Sequence, residues 1–198
     1  MRFFIALEIP EDCRQELETV QQNLQKIIPG VRLTNNNKLH LTIAFIGEQP
    51  DELKDELISV VKKAVFGISP FKVTPAYIDG FPNLHQAHIF WVGLKGDIDK
   101  LFVVRERIKD GIEKLGIDMD DRRYLPHIAV AKINDNFQIQ EGQELSLEKM
   151  MMNGFSPIQI SSIKLFESIP EEGFHKHNTL AQISLEESSQ SNPEPEVL

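Results

Sequence analysis

Two histidines in the sequence each begin a short run of alternating side chains. The first run is residues 38–47, K-L-H-L-T-I-A-F-I-G, and the second is residues 124–133, Y-L-P-H-I-A-V-A-K-I. Because successive side chains of a strand point to opposite faces, His40, Thr42 and Ala44 are predicted to share one face. The other face of that strand would be a core face formed by Leu39, Leu41, Ile43 and Phe45.

The second run repeats the pattern of the first. Alternation predicts that His127, Ala129 and Ala131 share one face, opposite Ile128, Val130 and the aliphatic part of Lys132. The two histidines are 87 residues apart. A repeated supersecondary unit with one histidine per copy predicts two halves related by a pseudo-twofold axis. The histidines would then face each other across a cleft, or each would be a packing residue of its own half.

Two facing imidazoles suit a displacement at phosphorus. With an unperturbed pKa of about 6.5, one imidazole can accept a proton from water while the other protonates the departing oxygen. The negative charge that develops on the phosphoryl oxygens needs fixed donors, and Thr42 is placed to be one. This scheme requires neither a metal nor a cofactor, and we expect none.

The periodicity of the chain predicts the elements that must hold these residues. Apolar stripes predict helices over residues 11–28, 51–66, 97–115 and 144–152. Alternating or continuous apolar runs predict strands over residues 2–9, 32–34, 38–47, 71–79, 88–94, 124–133, 157–167 and 177–185. Residues 80–83 have turn chemistry. This mixture predicts an α+β fold.

Composition limits the class of protein. The chain has 198 residues, 41% of them hydrophobic, and a net charge of −9, which argues against non-specific coating of nucleic acid. Its single cysteine, Cys13, suits a reducing compartment, and no apolar run is long enough to span a membrane. We therefore expect a soluble cytoplasmic protein. Residues 1–185 are predicted to form one bilobal domain, and residues 186–198, with four glutamates and no basic residue, a disordered tail.

The segments around both histidines resemble the 2H phosphoesterase superfamily, whose two signatures have the form H-x-[TS]-x. They are most similar to its RNA 2′,3′-cyclic phosphodiesterase branch, also called bacterial and archaeal 2′-5′ RNA ligases. The resemblance covers residues 1–185 and rests on M-R-F-F-I-A-L-E-I-P, N-K-L-H-L-T-I-A-F-I-G-E, H-I-F-W-V-G-L, D-R-R-Y-L-P-H-I-A-V-A-K and K-L-F-E-S. It implies a bilobal, pseudo-twofold α+β fold in which two antiparallel sheets line a central cleft, with helices outside.

The resemblance also implies an activity. It implies metal-independent hydrolysis of RNA 2′,3′-cyclic phosphate ends to 2′-phosphates, with His40 protonating the departing 3′ oxygen and His127 activating water. Thr42 and Lys132 would bind substrate, and the partners would be RNA ends or cyclic nucleotides bound by a monomer. Two alternatives stay open: a non-catalytic protein that binds RNA ends or nucleotides in the same cleft, and joining of RNA ends by a 2′-5′ bond.

Three positions depart from the family pattern. Ala129 replaces the second hydroxyl residue, Leu125 replaces an arginine found in many relatives, and Lys132 replaces an arginine, keeping its charge but losing its two-pronged geometry. A phosphoryl-oxygen donor is worth about 2.7–4 kcal/mol in a transition state, so weakened turnover is expected. Arginines in nearby loops could compensate, namely Arg32, Arg122 and Arg123.

Other polar clusters carry weaker signals. The pairs His85 and His88, and His175 and His177, could each chelate a metal, but no cysteine or carboxylate accompanies them at a convincing spacing. We therefore interpret both pairs as surface histidines. The acidic cluster at Asp118, Asp120 and Asp121 lacks calcium-loop spacing and is interpreted as a solvated turn.

Overall fold

The computed structural model of the protein describes residues 1–119, 123–134, 136–171 and 174–186. Within these ranges nine strands form one antiparallel sheet that is packed against four α-helices. The strands are β1 (Arg2–Glu8), β2 (Arg32–Leu33), β3 (His40–Glu48), β4 (Phe71–Phe81), β5 (Ile89–Gly96), β6 (His127–Lys132), β7 (Ile158–Ile160), β8 (Ser162–Glu171) and β9 (Phe174–Ser184). The helices are α1 (Glu11–Ile27), α2 (Lys54–Val65), α3 (Ile98–Glu113) and α4 (Gln143–Met150).

The predicted elements are all present, and several of their boundaries differ from the predicted ones. The second helix begins as a 3-10 turn over Asp51–Leu53, and residues 157–167 belong to two strands, β7 and β8, separated at Ser161. Phe81, which turn chemistry placed in a loop, belongs to β4, where its ring packs against Trp91 and His127. Asp120, Asp121, Arg122 and the tail beyond Glu186 lie outside the described residues.

Local sequence explains where the first helix begins and ends. Pro10 precedes α1, and the acidic Glu11 and Asp12 lie in its first turn. Their negative charges interact favourably there with the positive end of the helix dipole. Lys26 lies in the last turn, and the helix ends before Gly30, whose φ of 95° favours glycine. The apolar stripe of α1 is buried against the sheet.

The strand order is β7-β4-β5-β6-β3-β1-β8-β9, with β2 paired to β6. The two histidine-bearing strands, β3 and β6, are adjacent at the centre and are joined through the pair Leu41–Ile128. We call β3, β1, β8 and β9 the His40 half, and β6, β5, β4 and β7 the His127 half. The α+β class is as expected, but the two predicted sheets are continuous, because the two motif strands pair with each other.

The halves are built by exchange of strands between two repeats. The first repeat runs β1-α1-β3-α2-β4, and the second runs β5-α3-β6-α4 and then β7 and β8. However, β4 pairs with β5 of the second repeat, and β8 pairs with β1 of the first. The helices of the first repeat also contact strands outside that repeat. Helix α1 packs against β6, and α2 packs against β8 and β9.

The main core lies between the helices and one face of the sheet. Ile5, Leu41 and Ile128 of the central strands and Leu17 and Leu101 of the helices are almost completely buried. Burying one such side chain contributes about 1.5–3 kcal/mol. A separate cluster on the opposite face of the sheet consists of Phe4, Ala6 and Phe166. We call this second face, which carries His40, Thr42 and His127, the cleft face. No helix in the described part of the chain is long and apolar enough to cross a membrane.

A bulge in β3 changes the faces that simple alternation predicts. Thr42 pairs with Ala6 and Ala44 pairs with Ile5, so Ile43 is an extra residue in β3. An extra residue reverses the alternation beyond it. Ala44 is therefore buried in the core, whereas Phe45 is 66% exposed. The predicted placement of Ala44 on the histidine face and of Phe45 on the core face was wrong.

β6 has the equivalent bulge at Val130. Trp91 pairs with Ala129 and Phe90 pairs with Ala131, which leaves Val130 as the extra residue. Ala131 is consequently buried, and Lys132 is exposed. The predicted placement of Ala131 with His127, and of Lys132 on the core side, was therefore also wrong. The reversal puts Lys132 on the cleft face.

Candidate active site

The two motif histidines are held in the same way. The Nδ1–H of His40 donates to the carbonyl oxygen of Lys38 at 2.7 Å, and that of His127 donates to the carbonyl oxygen of Leu125 at 2.7 Å. A carbonyl can only accept, so each neutral ring carries its proton on Nδ1 and its lone pair on Nε2. Each Nε2 is therefore the atom that can accept or donate a proton in the chemistry.

The central strand pair brings the histidines to neighbouring positions. Extending the antiparallel register from Leu41–Ile128 by one residue puts Thr42 across from His127 and Ala129 across from His40. The two histidines then occupy diagonal positions, which in an antiparallel pair are about 7–8 Å apart. A single phosphoryl group fits between two long side chains at that separation.

The surroundings favour the neutral form of both rings. Burial lowers the pKa of His40; the hydrogen bond to the Lys38 carbonyl opposes this effect, and the proximity of His127 lowers the pKa further. Burial likewise lowers the pKa of His127, opposed by its hydrogen bond to the Leu125 carbonyl. An anion bound between the rings would favour the charged form and act in the opposite direction.

Aromatic rings and a third histidine surround His40. The ring centroid of Phe4 lies 5.4 Å from that of His40, and Phe166 stacks on Phe4 at 5.0 Å. The ring of His177 stands edge-on to His40 at 5.4 Å and to Phe4 at 4.8 Å. These residues line a cavity of about 270 Å³, together with Glu8, Asn37, Lys38, Leu39, Lys176 and Thr179.

His177 was missed by the sequence analysis, which interpreted it as a surface residue. It reaches the site because β9 is adjacent to β8, β8 to β1, and β1 to β3. The pair His177–Ser168 in the β8–β9 register lies on the cleft face. Strand alternation could have put His177 and Thr179 on one face, but only the order of the strands brings that face next to His40.

A different aromatic wall surrounds His127. Phe81 and Trp91 stand edge-on to its ring at 5.0 and 5.6 Å, and Phe81 stacks on Trp91 at 5.1 Å. Gly93 pairs directly with His127, and a Cβ at Gly93 would meet the Tyr77 ring at 2.2 Å. Glycine is therefore needed at position 93, where the Tyr77 ring packs directly on the backbone.

The remaining predicted site residues lie along the same seam. Thr42 is half-buried between the histidines in the register, and its carbonyl accepts a hydrogen bond from the Tyr124 hydroxyl at 3.2 Å. Lys132 is exposed and pairs with Arg32 of β2, so two cations lie side by side near the His127 half. Arg123 is exposed.

The predicted absence of a metal site remains a prediction. Among the described residues, no group of three or more histidine, cysteine, aspartate and glutamate side chains is arranged to hold a metal ion. His85 is exposed on a 3-10 turn, and the Nδ1 of His175 is hydrogen-bonded with the Ser168 hydroxyl at 3.0 Å.

Comparison with known proteins gives concordant matches. The family model for LigT-like phosphoesterases matches residues 7–91. An RNA 2′,3′-cyclic phosphodiesterase of Methanocaldococcus jannaschii is 27% identical over 170 residues, which are 85% of this chain and 91% of that protein.

Solved structures match over nearly the whole chain. A crystal structure of a Thermus thermophilus protein has a TM-score of 0.75 at 20% identity, covering 93% of this chain and 98% of the other. E. coli LigT in complex with 3′-AMP has a TM-score of 0.72 at 18% identity, covering 94% and 98%. Together with the two histidine motifs on adjacent strands, these matches show that the chain has the fold of the LigT-like phosphoesterases and that residues 7–91 are similar in sequence to that family.

Proposed function

We propose that the protein hydrolyses 2′,3′-cyclic phosphate ends of RNA to 2′-phosphates, with His40 as the general acid and His127 as the general base. The observation that carries this proposal is the equivalent tethering of the two rings. In each, Nδ1 is bound to a backbone carbonyl two residues earlier, which leaves Nε2 for proton transfer. The name of the Methanocaldococcus jannaschii relative supports the substrate class.

The reaction needs one proton movement on each side of phosphorus. His127 Nε2 accepts a proton from water as the water oxygen forms a bond to phosphorus. The bond from phosphorus to the 3′ oxygen breaks, and His40 Nε2 donates its proton to that oxygen. The product carries a 3′ hydroxyl and a 2′-phosphate, and the two histidines have exchanged protonation states.

The asymmetry of the cleft supports this assignment of roles. In an in-line displacement the departing oxygen and the attacking water lie on opposite sides of phosphorus. The departing oxygen belongs to the ribose, so the nucleoside must lie on the side of the acid. The cavity of about 270 Å³ borders His40, whereas Trp91 and Phe81 pack closely around His127.

Thr42 and Lys132 are proposed to bind the phosphoryl group. The register puts the Thr42 side chain beside His127 on the cleft face, where its hydroxyl can donate to a phosphoryl oxygen. Lys132 supplies a positive charge from the same face. Neither interaction uses a metal ion, so chelators should leave the reaction intact.

The test is hydrolysis of a short RNA with a 2′,3′-cyclic phosphate end, in EDTA. We expect turnover to a 2′-phosphate, with losses of at least about 10²-fold in kcat for His40→Ala and His127→Ala. His85→Ala, which removes an exposed histidine, is the matched control and should be unchanged. Normal turnover by His127→Ala would contradict the proposal.

The same assay gives a pH profile. The acid must be protonated and the base neutral, so kcat/KM is greatest between their two pKa values. Because burial lowers the pKa of both histidines from 6.5, we expect a bell-shaped profile with its maximum below about pH 6.5. A maximum well above that pH would show that these two rings do not control the rate.

The alanine at position 129 favours one other function. Without the second hydroxyl, the cleft could hold an RNA end or a nucleotide without turning it over. This alternative predicts saturable binding of adenosine 2′-phosphate together with no hydrolysis of the cyclic substrate. Binding and turnover measured on the same preparation separate the two functions.

A further inference from the structure

Two positively charged side chains face each other across the end of β6. Arg32 of β2 pairs directly with Lys132, and both are exposed on the cleft face. Opposing residues of an antiparallel pair share one face, and like charges in that position destabilise the pair. Among the residues that the structure describes, neither cation forms an ion pair with a carboxylate. An arrangement of this kind is stabilised by an anion that contacts both side chains.

The pairing of β6 puts Arg32 on the same side of the cleft as His40. Strand β5 pairs with β6 from Lys132 to His127, so β2 and β3 share the opposite edge of β6. The register puts His40 across from Ala129 and Arg32 across from Lys132. Arg32 therefore lies roughly 10 Å beyond His40 along this edge. An extended arginine side chain is long enough to reach back towards a phosphoryl group held against the His40 ring.

The backbone beneath Arg32 is fixed, although β2 has only two residues. Val31, the residue before it, is buried in the core. The Thr34 backbone N–H donates to the Val130 carbonyl at 2.9 Å, and the buried amide of Gln21 donates to both carbonyl oxygens, of Thr34 at 2.7 Å and of Val130 at 2.8 Å. A fixed backbone reduces the entropy that is lost when a long side chain is held on a ligand.

Arginine has the geometry that this part of the cleft otherwise lacks. Lys132 is a point charge, whereas a guanidinium has a planar fork of donors that matches two oxygens of a phosphoryl group. Ala129, across from His40, contributes a methyl group and no donor. We propose that Arg32 and Lys132 form a clamp on the phosphoryl group, in which Arg32 supplies the two-pronged contact and partly replaces the donor missing at position 129. This inference rests on the proposed function for the position of the phosphoryl group between the histidines.

The first test is binding, which does not depend on turnover. Calorimetric titration of the full chain with adenosine 2′-phosphate and with adenosine gives the contribution of the phosphoryl group to affinity. We expect Arg32→Gln to weaken binding of adenosine 2′-phosphate at least about fivefold and to leave binding of adenosine unchanged. Arg32→Lys should weaken binding of adenosine 2′-phosphate at least about threefold, because lysine keeps the charge but not the fork.

Arg2→Gln is the matched control. Arg2 is exposed on the cleft face at the start of β1, and Glu8 at the end of that strand pairs with His40. The two ends are about 20 Å apart along the strand, so a phosphoryl group held by His40 is out of reach of Arg2. The control removes the same charge from the same face and should keep the native affinities. Urea unfolding of each variant shows whether it is folded.

The second test separates the reacting phosphoryl group from the other phosphates of an RNA strand. Adenosine 2′,3′-cyclic phosphate has only the reacting group, whereas a short RNA with the same end also has internucleotide phosphates. We expect Arg32→Gln to lower kcat/KM by the same factor on both substrates, roughly ten- to a hundredfold, since a phosphoryl-oxygen donor can contribute up to about 10³ in rate. The loss should be smaller in an Ala129→Thr background, because a second donor then contacts the same oxygens.

Two results would overturn the inference. Equal affinities of the native chain and Arg32→Gln for adenosine 2′-phosphate would show that Arg32 does not contact the phosphoryl group. A loss of kcat/KM on the RNA, with none on adenosine 2′,3′-cyclic phosphate, would put Arg32 on the internucleotide phosphates instead.

The proposed function can fail separately from the clamp. Binding of adenosine 2′-phosphate that is weakened in Arg32→Gln, without turnover by the native chain, would retain the clamp and reject the enzyme. Turnover that is equal in the native chain, Arg32→Gln and Arg2→Gln would retain the enzyme and reject the clamp.

Discussion

At position 129 the cleft has a methyl group where its pseudo-symmetric counterpart, Thr42, has a hydroxyl. The register across the central strands puts Thr42 beside His127 and Ala129 beside His40. The proposed base therefore has a neighbouring hydroxyl donor, and the proposed acid does not. Because charge on the phosphoryl oxygens increases in the transition state, we expect the missing donor to slow the proposed reaction at the step it should assist.

We predict that Ala129→Thr increases kcat for hydrolysis of a cyclic phosphate end by roughly ten- to a hundredfold, since a preorganised donor can contribute up to about 10³ in rate. Ala129 is half-buried in β6, and a β-branched residue is suited to a strand. Ala129→Val is the matched control, because it adds nearly the same shape without the hydroxyl. Equal rates for the Thr and Val variants would show that the hydroxyl is not what the site lacks.

At the scale of elements, the bulge in β6 sets the direction of Lys132, and one buried side chain supports it. Gln21 of α1 is only 2% exposed. Its side-chain amide donates to the Val130 carbonyl at 2.8 Å and to the Thr34 carbonyl at 2.7 Å. The Val130 carbonyl also accepts from the Thr34 backbone N–H at 2.9 Å. Helix α1 thus satisfies backbone groups that a bulge removes from regular pairing.

We predict that Gln21→Met lowers the free energy of unfolding by about 1–3 kcal/mol, because the half-buried Thr34 carbonyl and the buried Val130 carbonyl each lose the donor from Gln21. The measurement is urea unfolding followed by circular dichroism. Gln22→Met is the matched control, since Gln22 is the next residue of α1 and is exposed. If both variants were equally stable, the amide of Gln21 would not be supporting the bulge.

The helices and strands were predictable from the sequence. The face on which each strand side chain lies, and which strands pair with each other, were not. Helices such as α1 and α3 have clear apolar stripes, and periodicity alone located them to within two residues at each end. The bulges at Ile43 and Val130 depend on the partner strand, so alternation put Phe45 and Lys132 on the wrong faces. Periodicity carries no information about which strands become neighbours.

The candidate site was predictable to the extent that it is local in sequence. His40 and Thr42 lie on one strand, and the resemblance of the two motifs was sufficient to relate them to His127. His177 comes from the last strand, and its place beside His40 results from the pairing of β9 with β8 and of β8 with β1. Phe81 was assigned to a turn because proline and asparagine follow it, yet its ring packs on His127.

At the scale of the whole molecule, the two halves are joined by exchanged strands and by a common apolar core. Strand β4 of the first repeat completes the His127 half, and β8 of the second repeat completes the His40 half. One buried apolar cluster extends from Ile5 and Leu41 in the His40 half to Phe90 and Ile128 in the His127 half. Neither repeat can unfold without removing a strand from both halves, which supports the prediction that residues 1–185 form one domain.

Cooperative unfolding tests this prediction, because each half can be observed or perturbed separately. The single tryptophan, Trp91, lies in β5 of the His127 half, whereas Ile5 is completely buried in β1 of the other half. We predict that Ile5→Ala lowers the free energy of unfolding by about 2–5 kcal/mol, and the milder Ile5→Val by about 0.5–1.5 kcal/mol. In urea, Trp91 fluorescence and far-ultraviolet circular dichroism should give the same shifted midpoint for each variant. Trp91 fluorescence that kept the native midpoint while the circular dichroism signal shifted would mean that the halves unfold independently. The cleft would then lie between two domains, and the exchanged strands would not couple them.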